Sequence, residues 1–256
     1  MNRTGVMGAW SRLAAELDLW ARAGQVATFW WRDDDAGAVT PALEQLVTLS
    51  RETDVPLGVA VVPGWIEPGL PGVLAGMRVL QHGVQHVSHA PQGEKKVELG
   101  AHRLLHEIEA DLKEGWFQLT DAFAGALPVL VPPWNRISHE LVARLSSLGY
   151  RGLSTFASGA GTDAPYCGLR VRDTHVDVIA WRSGRGFVGT EAALGVATTH
   201  LAARRAAGFV STHPTGLLTH HLVHDAQSWH FIAEFLRFVG DHAAASWLAP
   251  EEMFLR

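Results

Sequence analysis

The sequence predicts one α/β domain that folds as a (β/α) barrel of about seven or eight units. Three observations favour this fold class. The chain has 256 residues, which is long enough to bury one large core. Short apolar runs alternate along it with longer amphipathic helical patterns. Each run is apolar on both faces, as in strands that helices cover on both sides. An open, doubly wound sheet is the competing layout.

The predicted strands are brief and continuous in their apolar character. They comprise residues 26–31, 57–62, 79–80, 127–131, 152–156, 176–181 and 215–219. The third is the weakest, because only Val79 and Leu80 precede the polar His82.

Amphipathic helical patterns separate these strands. They cover residues 8–24, 41–52, 99–124, 138–148, 191–207 and 226–239. Thr40 before Pro41 is typical of a helix start, and Gly149 follows the end of the fourth pattern. Residues 159–164 (GAGTDA) are predicted to form a surface loop. Without an internal repeat or a low-complexity linker, residues 1–256 are expected to form one catalytic domain.

Composition excludes several classes of function. The formal net charge is −5, and basic residues cluster no further than pairs such as Arg204-Arg205, so nucleic acid is not an expected partner. Cys167 is the only cysteine, which excludes an intrachain disulfide and a thiolate metal cage. No signal-peptide core and no run of 18 apolar residues is present, so we expect no membrane partner and a cytoplasmic location. The oligomeric state is left open.

Two motifs carry metal-binding chemistry. Asp33-Asp34-Asp35 follows the first predicted strand, and His82-Gly83-Val84-Gln85-His86 follows the third. Carboxylates and imidazoles are ligands of divalent cations, and two histidines four apart can face one ion. The alternative for the acids is a turn that caps a helix, but three adjacent acids repel one another and a cation would offset that repulsion. Alternation along a strand would separate Asp34 from Asp33 and Asp35, so the pattern alone does not assign their roles.

Other polar and aromatic residues follow the remaining predicted strands. The candidates for substrate binding are Trp31, His89, Pro133, Trp134, Asn135, Trp181 and His221, with Asp177 beside them. The carboxyl ends of parallel barrel strands converge on one face, where catalytic groups collect. His220 is placed to act as a general acid or base, although a hydrogen-bonded core histidine is the alternative. The tryptophans suit either core packing or a platform for a sugar ring.

In their order along the chain, WRDDDAG, HGVQH, VPPWN, VDVIAW and LLTHH resemble the motifs of the polysaccharide deacetylase (NodB-homology, carbohydrate esterase) family. The resemblance runs roughly from Ala27 to His221. It implies a distorted (β/α) barrel that uses one divalent metal, commonly zinc, to remove N-acetyl or O-acetyl groups from sugars. Cobalt, nickel and manganese are the alternative metals.

The resemblance also implies roles for individual residues. Asp34 would be the general base and Asp35 a metal ligand, whereas a slip of one residue would give Asp33 and Asp34 instead. His82 and His86 would complete the metal site. His220 matches the family's general acid best, with His221 as the alternative.

The chain departs from the family pattern at its third motif. Val131 stands where the family has an arginine that orients the base. Trp134 replaces a frequent tyrosine, and Asn135 replaces a common glycine. Arg32 and Arg182 are the candidates for the missing guanidinium.

These features predict a metal-dependent deacetylase that acts on an acetylated saccharide or a small acetylated substrate. One alternative is an amidohydrolase of small non-sugar amides, which the lack of a secretion signal favours. The other is a non-catalytic saccharide-binding protein with a degenerate site.

Overall fold

A computed structural model of the chain describes residues 3–157, 166–208 and 213–255, and its strands form one parallel sheet. The strands are β1 (Ala27–Ala36), β2 (Leu57–Val61), β3 (Arg78–His82), β4 (Ala126–Val131), β5 (Gly152–Leu153), β6 (Arg170–Val171), β7 (Val176–Asp177), β8 (Thr215–Thr219) and β9 (Ala245–Trp247). Their order is β6-β5-β4-β3-β2-β1-β8-β7, and β9 pairs with β1. The predicted loop 159–164 lies outside the described residues.

Helices connect and cover these strands. They are α1 (Arg3–Arg22), α2 (Pro41–Thr53), α3 (Leu70–Val73), α4 (Leu105–Ala122), α5 (His139–Leu145), α6 (Thr190–Ala206), α7 (Ala226–Gly240) and α8 (Pro250–Phe254). Thr40 caps α2 by accepting a hydrogen bond from the backbone N–H of Leu43 at 3.1 Å, as the Thr-Pro pair predicted. Among the described residues, no helix has the length and apolar character needed to cross a membrane.

One extended segment joins the two edges of the sheet. β6 and β7 both lie within residues 170–177, where β6 pairs with β5 and β7 pairs with β8. Between them, Thr174 donates to the carbonyl of Thr155 at 3.0 Å and His175 donates to the carbonyl of Gly216 at 2.8 Å. The sheet therefore curls into a distorted, incompletely closed barrel, which confirms the predicted fold class over the open doubly wound sheet.

Alternation along β1 sorts its side chains between two environments. Phe29 and Trp31 pack outward into the large core that helices share with the sheet. Trp30 belongs instead to the cluster that fills the barrel, where its ring meets Phe254 of α8 edge-on at 5.9 Å. Because α8 packs at the amino ends of the strands, the opposite end of the barrel is the one that remains open.

Several boundaries differ from the sequence prediction. The acids Asp33–Asp35 lie within β1 rather than after it, and α4 begins at Leu105 rather than at residue 99. The short elements α3, β6, β9 and α8 were not predicted, because two to five residues hold too little periodicity to be recognised. Residues 83–104 form an irregular connection that reaches the open end of the barrel.

Candidate metal-binding and catalytic site

The carboxyl ends of the strands surround a cavity of about 470 Å³ at the open end of the barrel. Its walls include Asp34, Asp35, His82, His86, Trp134, Asn135, Trp181 and His220 from the sequence prediction, together with Arg32, Pro132, Arg136, Phe156, Asp177, Arg182 and Leu218. Each sequence motif therefore contributes to one cavity, as expected where parallel strands end.

A β-bulge in β1 turns Asp35 into the cavity. The register of β1 against β2 shifts between Asp33 and Ala36, and Asp35 has a left-handed φ of 69°. Simple alternation would have directed Asp35 outward with Asp33. The bulge instead brings the carboxylates of Asp34 and Asp35 to the same cavity.

Asp35, His82 and His86 form a compact three-residue cluster. Their ligand atoms all lie within 4.8 Å of one another. Nε2 of His82 and Nε2 of His86 lie 3.1 and 3.2 Å from Oδ1 of Asp35. An oxygen and two imidazole nitrogens are a donor set that suits zinc and related divalent cations.

The surroundings of His82 fit a metal ligand. Its Nδ1 donates to the carbonyl of Val131 at 3.0 Å, which fixes the ring with Nε2 directed toward Asp35. Burial lowers the pKa of His82, but the hydrogen bond to Asp35 and the charges of Asp34 and Asp35 outweigh it, and the pKa is raised. Burial likewise opposes ionisation of Asp35, yet hydrogen bonds from both histidines hold the pKa of this carboxyl below its ordinary value.

Aromatic rings hold the imidazole of His86. The ring centroids of Trp134 and Trp65 lie 4.3 and 5.3 Å from that of His86. Among the described residues, seven other than glycine have positive φ, and four of them belong to this site. Those four are Asp35, His86, Trp134 and Asn135. Such backbone conformations are uncommon and tend to cluster at functional sites.

The guanidinium of Arg32 is paired with the carboxylate of Asp34 on the neighbouring wall of the cavity. Its Nε and Nη2 donate to Oδ1 and Oδ2 of Asp34 at 2.8 and 3.0 Å, and both side chains are nearly fully buried. Nη1 of Arg32 donates to the hydroxyl of Ser154, directly after β5, at 2.5 Å, which fixes the guanidinium. Of the two candidates for the missing guanidinium, Arg32 is therefore the one that contacts Asp34.

His220 faces Asp34 across the cavity. Its Nε2 lies 3.9 Å from Oδ2 of Asp34. The ring of Trp181 contacts His220 edge-on at 4.7 Å, and Nε1 of Trp181 donates to Asp177 at 2.7 Å. Burial raises the pKa of Asp177, although the electrostatic effect of His220 acts in the opposite direction.

Asp33 and His221 lie outside the cavity and pair with each other. Nδ1 of His221 donates to Oδ1 of Asp33 at 2.5 Å, and the backbone N–H of His221 donates to Oδ2 at 3.0 Å. The hydroxyl of Thr219 donates to the same Oδ2 at 2.7 Å. Asp33 is therefore fully buried and fully engaged, and the geometry favours the register in which Asp34 and Asp35 face the cavity.

Four predicted substrate-binding residues do not line the cavity. Trp31 is 0 % exposed and donates to Thr219, so it is a core residue. Pro133 is buried beneath Gly83, and Pro132 lines the cavity in its place. His221 is bound to Asp33, and His89 lies exposed in the 83–104 connection. Trp31 faces the core because side chains alternate along β1. For Pro133 and His221, the adjacent residues Pro132 and His220 line the cavity instead.

Among the residues near the cavity that the sequence did not predict are Phe156, Arg136 and Glu98. Phe156 closes the fifth predicted strand, and its backbone exchanges two hydrogen bonds with the side chain of Asn135. Arg136 directly follows the third motif, so its position was the available signal. Glu98 carried no signal, because it lies within a stretch that reads as irregular chain and helix.

No family model and no curated protein matches the sequence. Solved structures do match its fold. A Mycobacterium smegmatis protein described as a candidate polysaccharide deacetylase aligns with a TM-score of 0.62 at 15% identity, covering 90% of this chain and 88% of that one. A family 4 acetyl xylan esterase from Clostridium thermocellum, in complex with a cobalt ion, aligns with a TM-score of 0.52 at 10% identity, covering 89% and 90%.

A CE4 family pseudoenzyme also shares the fold, with a TM-score of 0.55 at 13% identity, covering 90% of this chain and 67% of that one. The chain therefore has the NodB-type barrel of polysaccharide deacetylases and CE4 esterases. At these identities the likeness establishes the fold, and the function has to be argued from the site.

Proposed function

We propose that the chain is a metal-dependent hydrolase that removes an acetyl group from a saccharide. The observation that carries the proposal is the grouping of Asp35, His82 and His86 beside the Arg32-bound carboxylate of Asp34. The fold it shares with deacetylases and an acetyl esterase supports the same chemistry. Zinc is the proposed ion, and the cobalt ion of the xylan esterase structure supports a divalent cation in this fold.

Asp35, His82 and His86 are the residues that would hold the ion. When bound, a divalent cation supplies a Lewis acid that polarises the acetyl carbonyl and lowers the pKa of an adjacent water toward about 7. The carbonyl of Val131 keeps His82 in the ligating tautomer. The rings of Trp65 and Trp134 limit rotation of His86.

Asp34 is the proposed general base. Its carboxylate faces the cavity next to Asp35, so it can accept a proton from a water molecule that attacks the acetyl carbon. The two hydrogen bonds from Arg32 fix the carboxylate plane before substrate arrives, which reduces reorganisation during the reaction. Arg32 thus acts as a positioning residue in place of the arginine of the family's third motif.

His220 is the proposed general acid. Its Nε2 faces the cavity opposite Asp34 and can deliver a proton to the departing nitrogen or oxygen of the sugar. Trp181 holds the imidazole from the side and is itself held by Asp177. Base and acid therefore stand on different strands, β1 and the end of β8, with the cluster of ligands beside them.

The proposed substrate is an acetylated saccharide. A cavity of about 470 Å³ lies within the usual range of small-molecule sites. Trp134 and Trp181 give its walls apolar surface of the kind that packs against sugar rings, and Trp181 is 40% exposed.

A non-catalytic saccharide-binding protein is the second candidate, because a pseudoenzyme shares this fold. One experiment separates the two. Zinc-loaded protein is incubated with acetylated xylan and with chitin oligomers, and acetate release is measured beside sugar binding. Turnover that disappears in the Asp34→Asn variant supports the deacetylase, whereas binding without acetate release in the wild type supports the second candidate.

A further inference from the structure

Glu98 is a buried acid whose carboxylate lies beneath the loop that carries the histidine pair. It is 2% exposed. Its Oε1 accepts the backbone N–H groups of Gln85 and His86 at 2.7 and 3.1 Å, and its Oε2 accepts that of Val84 at 3.2 Å. Three successive N–H groups of the loop therefore converge on one side chain.

The loop conformation depends on such an acceptor. Gly83 and His86 both have a left-handed φ of 56°, and the turn between them directs its N–H groups inward. Among the described residues, Glu98 is the acceptor recorded for each of these three groups, and it takes part in no ion pair. Without an acceptor, these N–H groups would destabilise this conformation of the loop.

The fit between the loop and Glu98 is close. A Cβ atom at position 83 would lie 2.1 Å from Oε2 of Glu98 and 2.5 Å from Cγ of Pro133. Glycine is therefore required there by space as well as by its positive φ. When residues 83–86 wrap around the carboxylate of Glu98, the imidazole of His86 returns toward Asp35, beside that of His82.

We propose that Glu98 is a positioning residue for metal binding, which fixes the backbone of His86 so that its imidazole meets the ion. The proposal rests on the proposed metal site, but not on the identity of the substrate. A carboxylate binds amide donors more strongly than a neutral acceptor does, so the charge of Glu98 adds rigidity to the loop. Groups that orient metal ligands typically change affinity by roughly 10–100-fold when they are removed.

The test compares Glu98→Gln with the wild type in Zn²⁺ affinity, measured by competition with a chelator. Glutamine keeps the volume, but its amide nitrogen faces at least one backbone donor. Glu94→Gln is the matched control, because Glu94 is an exposed acid in the same connection. The expected result is Zn²⁺ binding at least about tenfold weaker in Glu98→Gln and unchanged in Glu94→Gln.

Two further measurements separate positioning from general stability. Thermal unfolding of the metal-free proteins reports the structural cost of the substitution, and the visible spectrum of Co²⁺-loaded protein reports ligand geometry. We expect an altered Co²⁺ spectrum in Glu98→Gln under conditions in which the metal-free variant remains folded. Wild-type affinity together with a wild-type spectrum would overturn the proposal.

The outcome is distinguishable from failure of the deacetylase proposal. If the wild type binds Zn²⁺ but releases no acetate, the affinity comparison still decides the role of Glu98. If the wild type binds no Zn²⁺ or Co²⁺ at all, both the metal site and the role of Glu98 are overturned.

Discussion

Arg32 and Asp34 stand two residues apart on β1, and the guanidinium of one holds both carboxylate oxygens of the other at 2.8 and 3.0 Å. Strand alternation places both side chains on the inner face of the barrel, above the ring of Trp30. The proposed base and its proposed positioning residue therefore come from one motif, rather than from two strands as in the pattern that the sequence resembles.

We expect Arg32→Lys to lower kcat by about 10²-fold while leaving Zn²⁺ content unchanged, because lysine cannot form the paired hydrogen bonds. Acetate release at saturating substrate and metal analysis test this. Arg51→Lys is the control, since Arg51 lies on α2 away from the cavity. Wild-type kcat in Arg32→Lys would contradict the assigned role.

Asp34→Asn should lower kcat by about 10²–10⁴-fold, because the amide cannot accept the proton. The variant should keep its Zn²⁺, since Asp34 is not in the ligand cluster. Steady-state kinetics with metal analysis check both statements. An active variant would exclude Asp34 as the base.

Asp33→Asn should act on stability instead. It breaks a buried pair with His221 and weakens the contact with Thr219, which we expect to cost about 3–5 kcal/mol of unfolding free energy. Denaturant unfolding of the metal-free protein measures the loss. An unchanged free energy of unfolding would contradict the role of this pair.

The stability that the Asp33–His221 pair contributes should depend on pH. Burial opposes the charge on both groups, but their mutual attraction outweighs it, so the pKa of Asp33 is lowered and that of His221 is raised. The histidine contribution is complete below about pH 6.5 and is lost as pH rises through the raised pKa; the aspartate contribution is complete above about pH 4 and is lost as pH falls through the lowered pKa.

The difference in unfolding free energy between wild type and Asp33→Asn should therefore be largest between about pH 4 and pH 6.5. Both proteins are compared without metal, so that the titrations they share cancel. A difference that does not vary with pH would show that the pair is not ionised.

Positive charge on the wall of the cavity should favour anionic substrates. Arg136 and Arg182 line the cavity and form no ion pair among the described residues, and Nζ of Lys96 lies 5.7 Å from the ring centroid of Trp134. We expect Arg182→Gln to lower kcat/KM for N-acetylglucosamine 6-phosphate roughly tenfold more than for N-acetylglucosamine. Equal losses of kcat/KM for the two sugars would show that Arg182 does not recognise the charge of the substrate.

Much of the barrel could be predicted from sequence, because its strands are continuous apolar runs and its longer helices are amphipathic. The histidine pair was recognisable from its spacing, and the acids from their clustering. The direction of Asp35 was not predictable, since it depends on a bulge that breaks the period of two.

Other contacts were hidden because they join distant segments. Glu98 meets the histidine loop through an irregular connection, where no periodicity marks a buried residue. Trp31 and Trp30 are adjacent and chemically identical, so only the strand register decides that neither reaches the cavity. Pro132 and Pro133 are likewise adjacent and identical, so the sequence does not show which of them lines the cavity.

Every role proposed above depends on one divalent ion bound by Asp35, His82 and His86 beside the carboxylate of Asp34. Elemental analysis after dialysis against Zn²⁺ tests it most directly, in the wild type and in the His82→Ala, His86→Ala double variant. We expect close to one Zn²⁺ per wild-type chain and almost none in the folded double variant. Equal Zn²⁺ content in the two proteins would contradict it.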